Sequence, residues 1–275
     1  MTFNAFETSA ASGEPILLFD FSIGTAHWRY TTADRPITYQ TNVFAAAPIT
    51  RTAPVQSSDI RQQTMRVTVP RDTSIITQLF TQYPPGGDVL LTVYGMHFTD
   101  PDGQAIVDWT GRITGVQWQG STVEIACEPI YTSIQTMGLR RRWGLNCPHV
   151  LYGPGCTLNP ALFKVVAPIQ SVSGFTITGA GFNPPAGLSF VGGYVEWDSG
   201  SGYLEHRTID SVSGTTLTLS YGSSQLIPGL SVSLYPGCSR TTTNCNAFGN
   251  IPNYGGQPQI PTKNPMDGSL ANPVF

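Results

Sequence analysis

The stretch AIVDWTGRITGVQWQGSTVEIACEP, residues 105–129, decides the class of fold. Ala105 to Gln119 is long and carries Val, Ile, Thr and Trp, which favour strands, and Thr122 to Pro129 has a similar composition. Gln119-Gly120-Ser121 lies between the two segments and supplies a hairpin turn. Long helix-forming runs are absent from the sequence, so the stretch predicts an antiparallel pair within a mainly β protein.

Further strand segments precede this hairpin. Met65-Arg66-Val67-Thr68-Val69 alternates apolar and polar residues, as a strand with one wet face does. Ser74 to Tyr83 has apolar residues at helical spacing and Pro84-Pro85 after it, which predicts one helix. The other predicted strands of this half are residues 16–21, 27–32, 37–47 and 89–98. We therefore interpret residues 1–135 as an antiparallel β-barrel or split-barrel domain with one helix.

The second half of the chain contains two similar segments. Residues 169–178, IQSVSGFTIT, resemble residues 209–218, IDSVSGTTLT, and each predicts a strand, a Ser-Gly turn and a strand. These hairpins indicate a small β-barrel over residues 164–234, inserted in a C-terminal domain of residues 136–275. Residues 257–275 are polar and rich in Pro, Gly and Asn, so we expect an extended tail with little regular structure.

Charge is scarce in this chain. The net charge is −3 and only 11% of its 275 residues are charged, which argues against nucleic-acid recognition because binding phosphates needs a basic surface. So few charges also predict that part of the surface is buried against other subunits. The sequence has no apparent signal peptide and no apolar run long enough to span a membrane. We therefore expect synthesis in a reducing cytosol, with cysteines as thiols or metal ligands.

Four of the five cysteines flank the predicted barrel, with Cys147 and Cys156 before it and Cys238 and Cys245 after it. LYGPGC at residues 151–156 resembles LYPGC at 234–238. The Pro-Gly steps favour type II turns, whose exposed N–H groups can stabilise thiolate or sulfide. Neither cysteine pair has the short Cys-x-x-Cys spacing typical of zinc. The residues alone support an iron–sulfur cluster and zinc equally, and disulfides come third.

Three nearby features have simpler interpretations. Cys127 lies on the apolar face of a predicted strand and reads as a buried small hydrophobe. His149 follows Cys147 closely and is interpreted as a residue behind the ligands or at the surface rather than as a ligand. The arginines at 140–142 could balance thiolate charge, but contact with a neighbouring subunit or a solvated turn is the favoured interpretation.

The motifs around these cysteines resemble a known family. They are LRRRW at 139–143, CPHVLYG at 147–153 with Cys156, PGC at 236–238 with Cys245, FGN at 248–250 and NYGGQPQIP at 253–261. Together they resemble the cysteine-bearing C-terminal domain of tail-tip hub proteins from long-tailed phages and gene transfer agents, broadly related to the minor tail protein L of phage lambda. The first half resembles the companion domain of the same family.

The resemblance implies a structural virion protein of the tail tip, assembled in the host cytoplasm. It implies a homotrimeric hub that joins the distal tail protein ring to the central tail-tip or fibre protein. It also implies a C-terminal iron–sulfur domain whose 4Fe-4S cluster is bound by Cys147, Cys156, Cys238 and Cys245. We expect the cluster to act as a structural staple that pins both ends of the inserted barrel.

An enzyme and a receptor-binding module are the alternatives. The histidines, His27, His97, His149 and His206, lie in no recognisable catalytic motif, so no enzyme is predicted. Residues such as Trp197, Tyr203 and Tyr221 suit glycan or protein recognition if they are exposed in turns, although ordinary β packing is the simpler interpretation. The alternative function is therefore a receptor- or glycan-binding tail module with a structural zinc site.

Overall fold

A computed structural model of the chain describes residues 3–9, 11–54, 63–81, 83–135, 138, 143–200 and 202–261. The predicted contacts of residues 140–142 and the tail beyond residue 261 lie outside this described part. The chain divides into two compact units, the first made of residues 1–137, 198–205 and 223–225, the second of residues 138–197, 206–222 and 226–275. Strands dominate both units, which confirms the mainly β class.

The first unit is built on a nine-stranded sheet. Its strands are β1 (Pro15–Ile23), β2 (Ala26–Thr31), β3 (Ile37–Tyr39), β4 (Asn42–Ala46), β5 (Thr50–Arg51), β6 (Met65–Pro70), β7 (Leu90–His97), β8 (Ala105–Gln119) and β9 (Thr122–Pro129). They lie in the order β3-β4-β2-β1-β7-β8-β9-β6-β5. The alternating apolar residues of β1, β6 and β9 face one core, where Phe21, Val67 and Ile125 have no exposed surface.

The prediction of one strand over residues 37–47 was wrong. Gln40 and Thr41 have φ angles of 46° and 69° and form a tight turn that separates β3 from β4. Two successive residues with positive φ are typical of the hairpin turn whose twist matches that of its strands. The turn makes β4 run parallel to β2, so this pair is an exception to the predicted antiparallel arrangement.

The helix predicted from Ser74 to Tyr83 is shorter than expected. The regular part is a π-helical turn, Ile76–Phe80, whose Ile76 and Leu79 are buried in the core of the first unit. At the end of this turn the Thr81 hydroxyl donates to the carbonyls of Ile76 and Thr77, at 3.2 and 2.9 Å. The apolar spacing correctly predicted which residues are buried, but the regular turn is π-helical and not α-helical.

The second unit contains a seven-stranded sheet. Its strands are β10 (Val165–Pro168), β11 (Ser171–Ser173), β12 (Thr176–Thr178), β13 (Ser189–Asp198), β14 (Leu204–Ser213), β15 (Thr216–Leu219) and β16 (Ser231–Gly237), in the order β10-β16-β13-β14-β15-β12-β11. The two predicted hairpins are β11–β12 and the β14–β15 pair, turning at Gly174 and Gly214, both with φ of 59°. They pair with each other through β12 and β15, where Ile177 lies opposite Leu217.

Short helices complete the described chain: α1 (Phe3–Glu7), α2 (Thr242–Ala247) and 3-10 turns at Ile130–Gln135, Pro160–Leu162 and Ile251–Asn253. Neither α-helix was predicted from the sequence. In α2, the Thr241 side chain accepts a hydrogen bond from the Asn244 N–H and so caps the helix start. Among the described residues, no helix has the length and apolar character needed to cross a membrane.

Candidate metal centre

The sheet of the second unit explains how two distant cysteine-bearing segments meet. β10 pairs antiparallel with β16 along its whole length. The chain entering β10 and the chain leaving β16 therefore lie at the same end of the sheet, because paired antiparallel strands run in opposite directions. Cys147 and Cys156 precede β10, Cys238 follows β16 directly, and Cys245 lies in α2.

All four of these cysteines line a single cavity of about 250 Å³. Its volume is on the order of eight times the share of one water molecule in liquid water. Tyr152 and Tyr194 form part of an aromatic wall, in which the rings of Tyr194 and Tyr235 stack at 4.4 Å. Every residue that lines the cavity belongs to the second unit.

The cysteine sulfurs do not surround one close point. In the part of the chain that the structure describes, no group of three or more His, Cys, Asp or Glu side chains is placed to hold a metal ion. Thiolates that share one tetrahedral zinc would lie about 3.8 Å apart, given a Zn–S bond of about 2.3 Å. The four cysteines border one cavity, and all are free thiols in the structure.

The similarity of the two Pro-Gly-Cys sequences does not extend to their conformations. The Cys156 N–H donates to the Gly153 carbonyl at 3.0 Å, so the first is a turn, but the φ of Gly155 is not positive and the turn is not type II. Gly237 instead ends strand β16, where a Cβ would lie 2.1 Å from the Val191 carbonyl oxygen. The prediction of two type II turns was therefore wrong.

Three of the four sulfurs accept hydrogen bonds from N–H groups. The Gly255 N–H donates to the Cys147 sulfur at 3.4 Å, and the Arg240 N–H donates to the Cys238 sulfur at 3.3 Å. The Asn250 side-chain amide donates to the Cys156 sulfur at 3.5 Å. These donors favour the thiolate form that metals bind. The predicted type of stabilisation is present, but it comes from other residues than the Pro-Gly turns.

Electrostatics oppose four bare thiolates in this cavity. Burial raises the pKa of the Cys238 thiol, the Arg240 N–H bond lowers it, and the neighbouring Cys156 and Cys147 raise it again. Burial also raises the pKa of Cys245, followed by the effects of the other three thiols. The neighbouring thiols thus make ionisation of Cys238 and Cys245 less favourable, because like charges repel in a partly desolvated space. A positively charged centre would reverse this effect.

His149 supports the loops that carry the cysteines. Its Nδ1–H donates to the Asn253 carbonyl at 3.1 Å. A Cβ on Gly155 would lie 2.9 Å from the ring, and a Cβ on Gly255 would lie 2.6 Å from its Nε2 atom. The imidazole therefore packs between two backbone segments, and only glycine leaves room for it on either side. Through Gly255 it positions the N–H that reaches Cys147.

Sequence reasoning missed the residues that tie the two cysteine segments together. The Cys147 N–H donates to the Arg240 carbonyl at 2.9 Å, and the Tyr152 hydroxyl donates to the Pro236 carbonyl at 3.0 Å. Asn250 is buried and contacts Cys156 across the cavity. The sequence signal for Asn250 is the FGN motif at 248–250, which contributes to the family resemblance but does not by itself indicate a contact with a cysteine.

The remaining candidates have other surroundings. Cys127 lies in β9, is 1% exposed in the core of the first unit, and its burial raises its pKa to about 12. Trp197 and Tyr203 are 2% and 9% exposed, which agrees with the simpler interpretation of ordinary packing and not with exposed recognition turns. Tyr221 is half-buried and packs under the guanidinium of Arg207, 4.3 Å from its ring centre. Trp197 lies in β13 and faces a core, and Tyr203 belongs to the apolar core of the first unit, so packing accounts for their burial.

Two protein-family models match parts of this chain. Residues 19–159 match the family "Baseplate hub protein, N-terminal attachment domain", and residues 188–264 match "Phage conserved hypothetical protein BR0599". The second match includes Cys238 and Cys245, and the first includes Cys147 and Cys156.

Two further chains are similar to this one, and the first of them shares its fold. A chain from the structure "Virion of native gene transfer agent (GTA) particle" aligns with a TM-score of 0.77 at 16% identity, over 99% of this chain and 96% of that one. An uncharacterized protein of Xylella fastidiosa (strain 9a5c) is 25% identical over 178 residues, which are 60% of this chain and 37% of the relative. This chain therefore spans little more than a third of that relative. Since the attachment-domain model covers half of the sequence, the chain belongs to the baseplate hub protein family of phage tails.

Proposed function

We propose that this protein is a structural hub subunit of a phage-type tail tip in which a 4Fe-4S cluster staples the cysteine segments of the second unit. One observation carries the proposal. The segment before β10 and the segment after β16 bring four cysteines to one cavity: Cys147, Cys156, Cys238 and Cys245. The hub is a homotrimer that joins the distal tail ring to the central tip or fibre protein. It is assembled in the host cytoplasm and remains in the virion.

The cavity's chemistry supports a cluster over a single zinc ion. Four sulfurs around about 250 Å³ leave more room than one metal ion occupies. Three sulfurs already accept N–H hydrogen bonds, which is the environment that stabilises cysteine-ligated clusters. A bound cluster would supply cross-links between segments of the chain. Cys147 and Cys156 would hold it from the segment before β10, and Cys238 and Cys245 from the segment after β16.

A staple suits this region because regular structure alone does not secure it. The described residues from 143 to 162 contain only one 3-10 turn, and residues 238–261 contain only α2 and a second 3-10 turn. Bridging the segments that enter β10 and leave β16 restrains their ends, so the unfolded chain loses entropy much as it does with a disulfide. Such rigidity fits a subunit that transmits load in a tail. We assign it a structural role rather than a catalytic one.

The expected outcome in vitro is a brown protein with about four iron and four acid-labile sulfide per chain after purification without oxygen. Cys147→Ser removes one ligand and should lose most of the iron and lower the melting temperature. Cys127→Ala is the matched control, because it changes a cysteine that lies in the core of the first unit, and it should keep the iron. Iron and sulfide analysis with visible absorption measures both.

Two results would contradict the proposal. Colourless wild-type protein with about one zinc per chain would support a structural zinc site instead. A Cys147→Ser protein that lacks iron but assembles tails of normal infectivity would show that the staple has no structural role. Mass measurement of the purified protein in solution separately tests the trimer, which would be rejected if only monomers form at every concentration.

A further inference from the structure

We propose that Asn250 is a positioning residue that sets the reduction potential of the proposed cluster through a side-chain hydrogen bond to the Cys156 sulfur. The inference rests on the proposed iron–sulfur site and goes beyond it, because it assigns the tuning of that site to a residue that is not a cysteine. Four observations carry it: the burial of Asn250, the orientation of its amide, its contact with both cysteine segments and its place in the cavity wall.

Asn250 is a buried polar residue with a fully used amide donor. It is 7% exposed, and its Nδ2 atom lies 2.6 Å from the Cys156 carbonyl oxygen and 3.5 Å from the Cys156 sulfur. A side-chain amide has two N–H donors, so one nitrogen can serve both acceptors. Buried amides without partners are costly, and here the partners belong to a proposed ligand residue.

The neighbouring hydrogen bonds determine which way this amide faces. Asn253 donates from its Nδ2 to the Asn250 Oδ1 at 2.8 Å, and the same nitrogen donates to the Thr157 hydroxyl at 2.9 Å. The Cys156 carbonyl can only accept, so the nitrogen of the Asn250 amide must face Cys156, and the donor from Asn253 agrees with the oxygen on the other side. The network therefore directs the N–H group, and not a lone pair, at the sulfur.

The main chain of Asn250 contacts Cys245, which lies in the same segment of the chain. Its N–H donates to the Cys245 carbonyl at 3.0 Å, and the Cys245 thiol donates to the Asn250 carbonyl at 3.2 Å. One residue thus contacts a cysteine from before β10 and a cysteine from after β16. Because Asn250 also lines the cavity, its amide lies beside whatever the four sulfurs hold.

The effect on potential follows from charge. Reduction adds an electron to a centre whose thiolate ligands are already negative, and an N–H dipole aimed at a ligand sulfur stabilises the more negative state. Asn250 therefore raises the reduction potential, and removing its N–H donor lowers it. The other two donors to sulfur are the main-chain N–H groups of Gly255 and Arg240, which a side-chain substitution leaves in place. The side-chain amide of Asn250 can be removed by a single substitution.

The test is a redox titration of the anaerobically purified full chain, monitored by electron paramagnetic resonance of the reduced cluster. Asn250→Asp keeps the size of the side chain but replaces the N–H donor with a carboxyl group, and Asn250→Leu removes the donor without adding charge. Both should shift the midpoint potential downward. A tenfold change in the one-electron equilibrium corresponds to about 59 mV.

Thr157→Val is the matched control. It removes the hydroxyl that accepts a hydrogen bond from Asn253. It therefore changes the hydrogen-bond network of Asn250 but leaves the hydrogen bond from Asn250 to the Cys156 sulfur in place. It should leave the midpoint potential close to that of the wild type. A potential that is unchanged in an Asn250 variant with a full complement of iron, or shifted equally by Thr157→Val, overturns the inference.

Measurements on the unsubstituted protein keep the two proposals separate. If the wild type carries no iron, the iron–sulfur assignment fails before Asn250 is tested. If the wild type carries the cluster but a variant does not fold, wild-type protein labelled with ¹⁵N in its asparagine side chains tests the contact between the amide and the cluster. Pulsed paramagnetic resonance should then detect a ¹⁵N coupling to the reduced cluster, and its absence overturns the role of Asn250.

Discussion

The nine-stranded sheet of the first unit and the cysteine segments of the second are held together by different interactions. In the sheet, large apolar side chains such as Phe21, Met65 and Leu91 are completely buried. In the cysteine segments, side chains such as Trp143, Val150 and Leu162 are 72–84% exposed, and hydrogen bonds to carbonyls and sulfurs make the contacts. Apolar burial stabilises the first region, whereas polar contacts hold the second.

The five cysteines show the same contrast. Cys127 fills a place in the apolar core with no acidic or thiol neighbour among the causes of its high pKa, which is due to burial alone. The pKa of Cys245 is raised by burial and by three nearby thiols. A cysteine is therefore an inert packing group or a potential ligand according to its neighbours, and the residue type alone does not decide between them.

The largest expected effect is that of removing the proposed cluster. Chelation under oxidising conditions should abolish the protection of backbone amides in residues 144–162 and 238–260, because structural metal centres contribute directly to folding. Protection in the nine-stranded sheet should stay unchanged, since apolar burial stabilises it. Hydrogen exchange with mass spectrometry measures both regions in one sample. Equal loss of protection in the two regions would remove the contrast between them.

Phe21→Ala tests the opposite region. Phe21 has no exposed surface, so truncation should lower the free energy of unfolding of the first unit by about 3–5 kcal/mol. Iron content should not change. Phe175→Ala is the matched control because its ring is 51% exposed, and surface substitutions usually stay within about 0.5 kcal/mol. Chemical denaturation provides the measurement, and equal effects of the two variants would contradict the assignment of the core.

Gly237→Ala has the smallest expected effect and examines the junction between sheet and cysteines. A Cβ at this position would lie 2.1 Å from the Val191 carbonyl oxygen, so β13 and β16 must move apart. Overpacking of this kind costs about 1–3 kcal/mol, and the displacement should also lower iron occupancy through the adjacent Cys238. Gly174→Ala, whose Cβ meets nothing within 4 Å, provides the comparison for a glycine outside the junction.

The Gly174 control has its own backbone cost. Its φ of 59° disfavours alanine, so some loss of stability is expected there with full iron occupancy. Iron content, measured against protein concentration, therefore separates the two glycine variants better than the melting temperature does. Full iron in Gly237→Ala would show that the end of β16 does not position Cys238.

Local patterns predicted much of the fold. β8 and β9 have the predicted bounds, and the two Ser-Gly hairpins occur at Gly174 and Gly214. These features depend on a period of two residues and on turn chemistry, both of which are visible in a short window. The turn at Gln40 and Thr41 was missed because it lacks the Asn or Gly that usually accompanies positive φ.

The sequence by itself determined the strands, the mainly β class and the placement of four cysteines on both sides of a repeated hairpin unit. Only the tertiary structure decided that these cysteines border one cavity, that the two Pro-Gly-Cys segments differ, and that Asn250 faces Cys156. The physical reason is the sequence separation of the residues that each feature depends on. Strand periodicity is a property of neighbouring residues, whereas the Asn250–Cys156 contact joins positions 94 residues apart and exists because β10 pairs with β16.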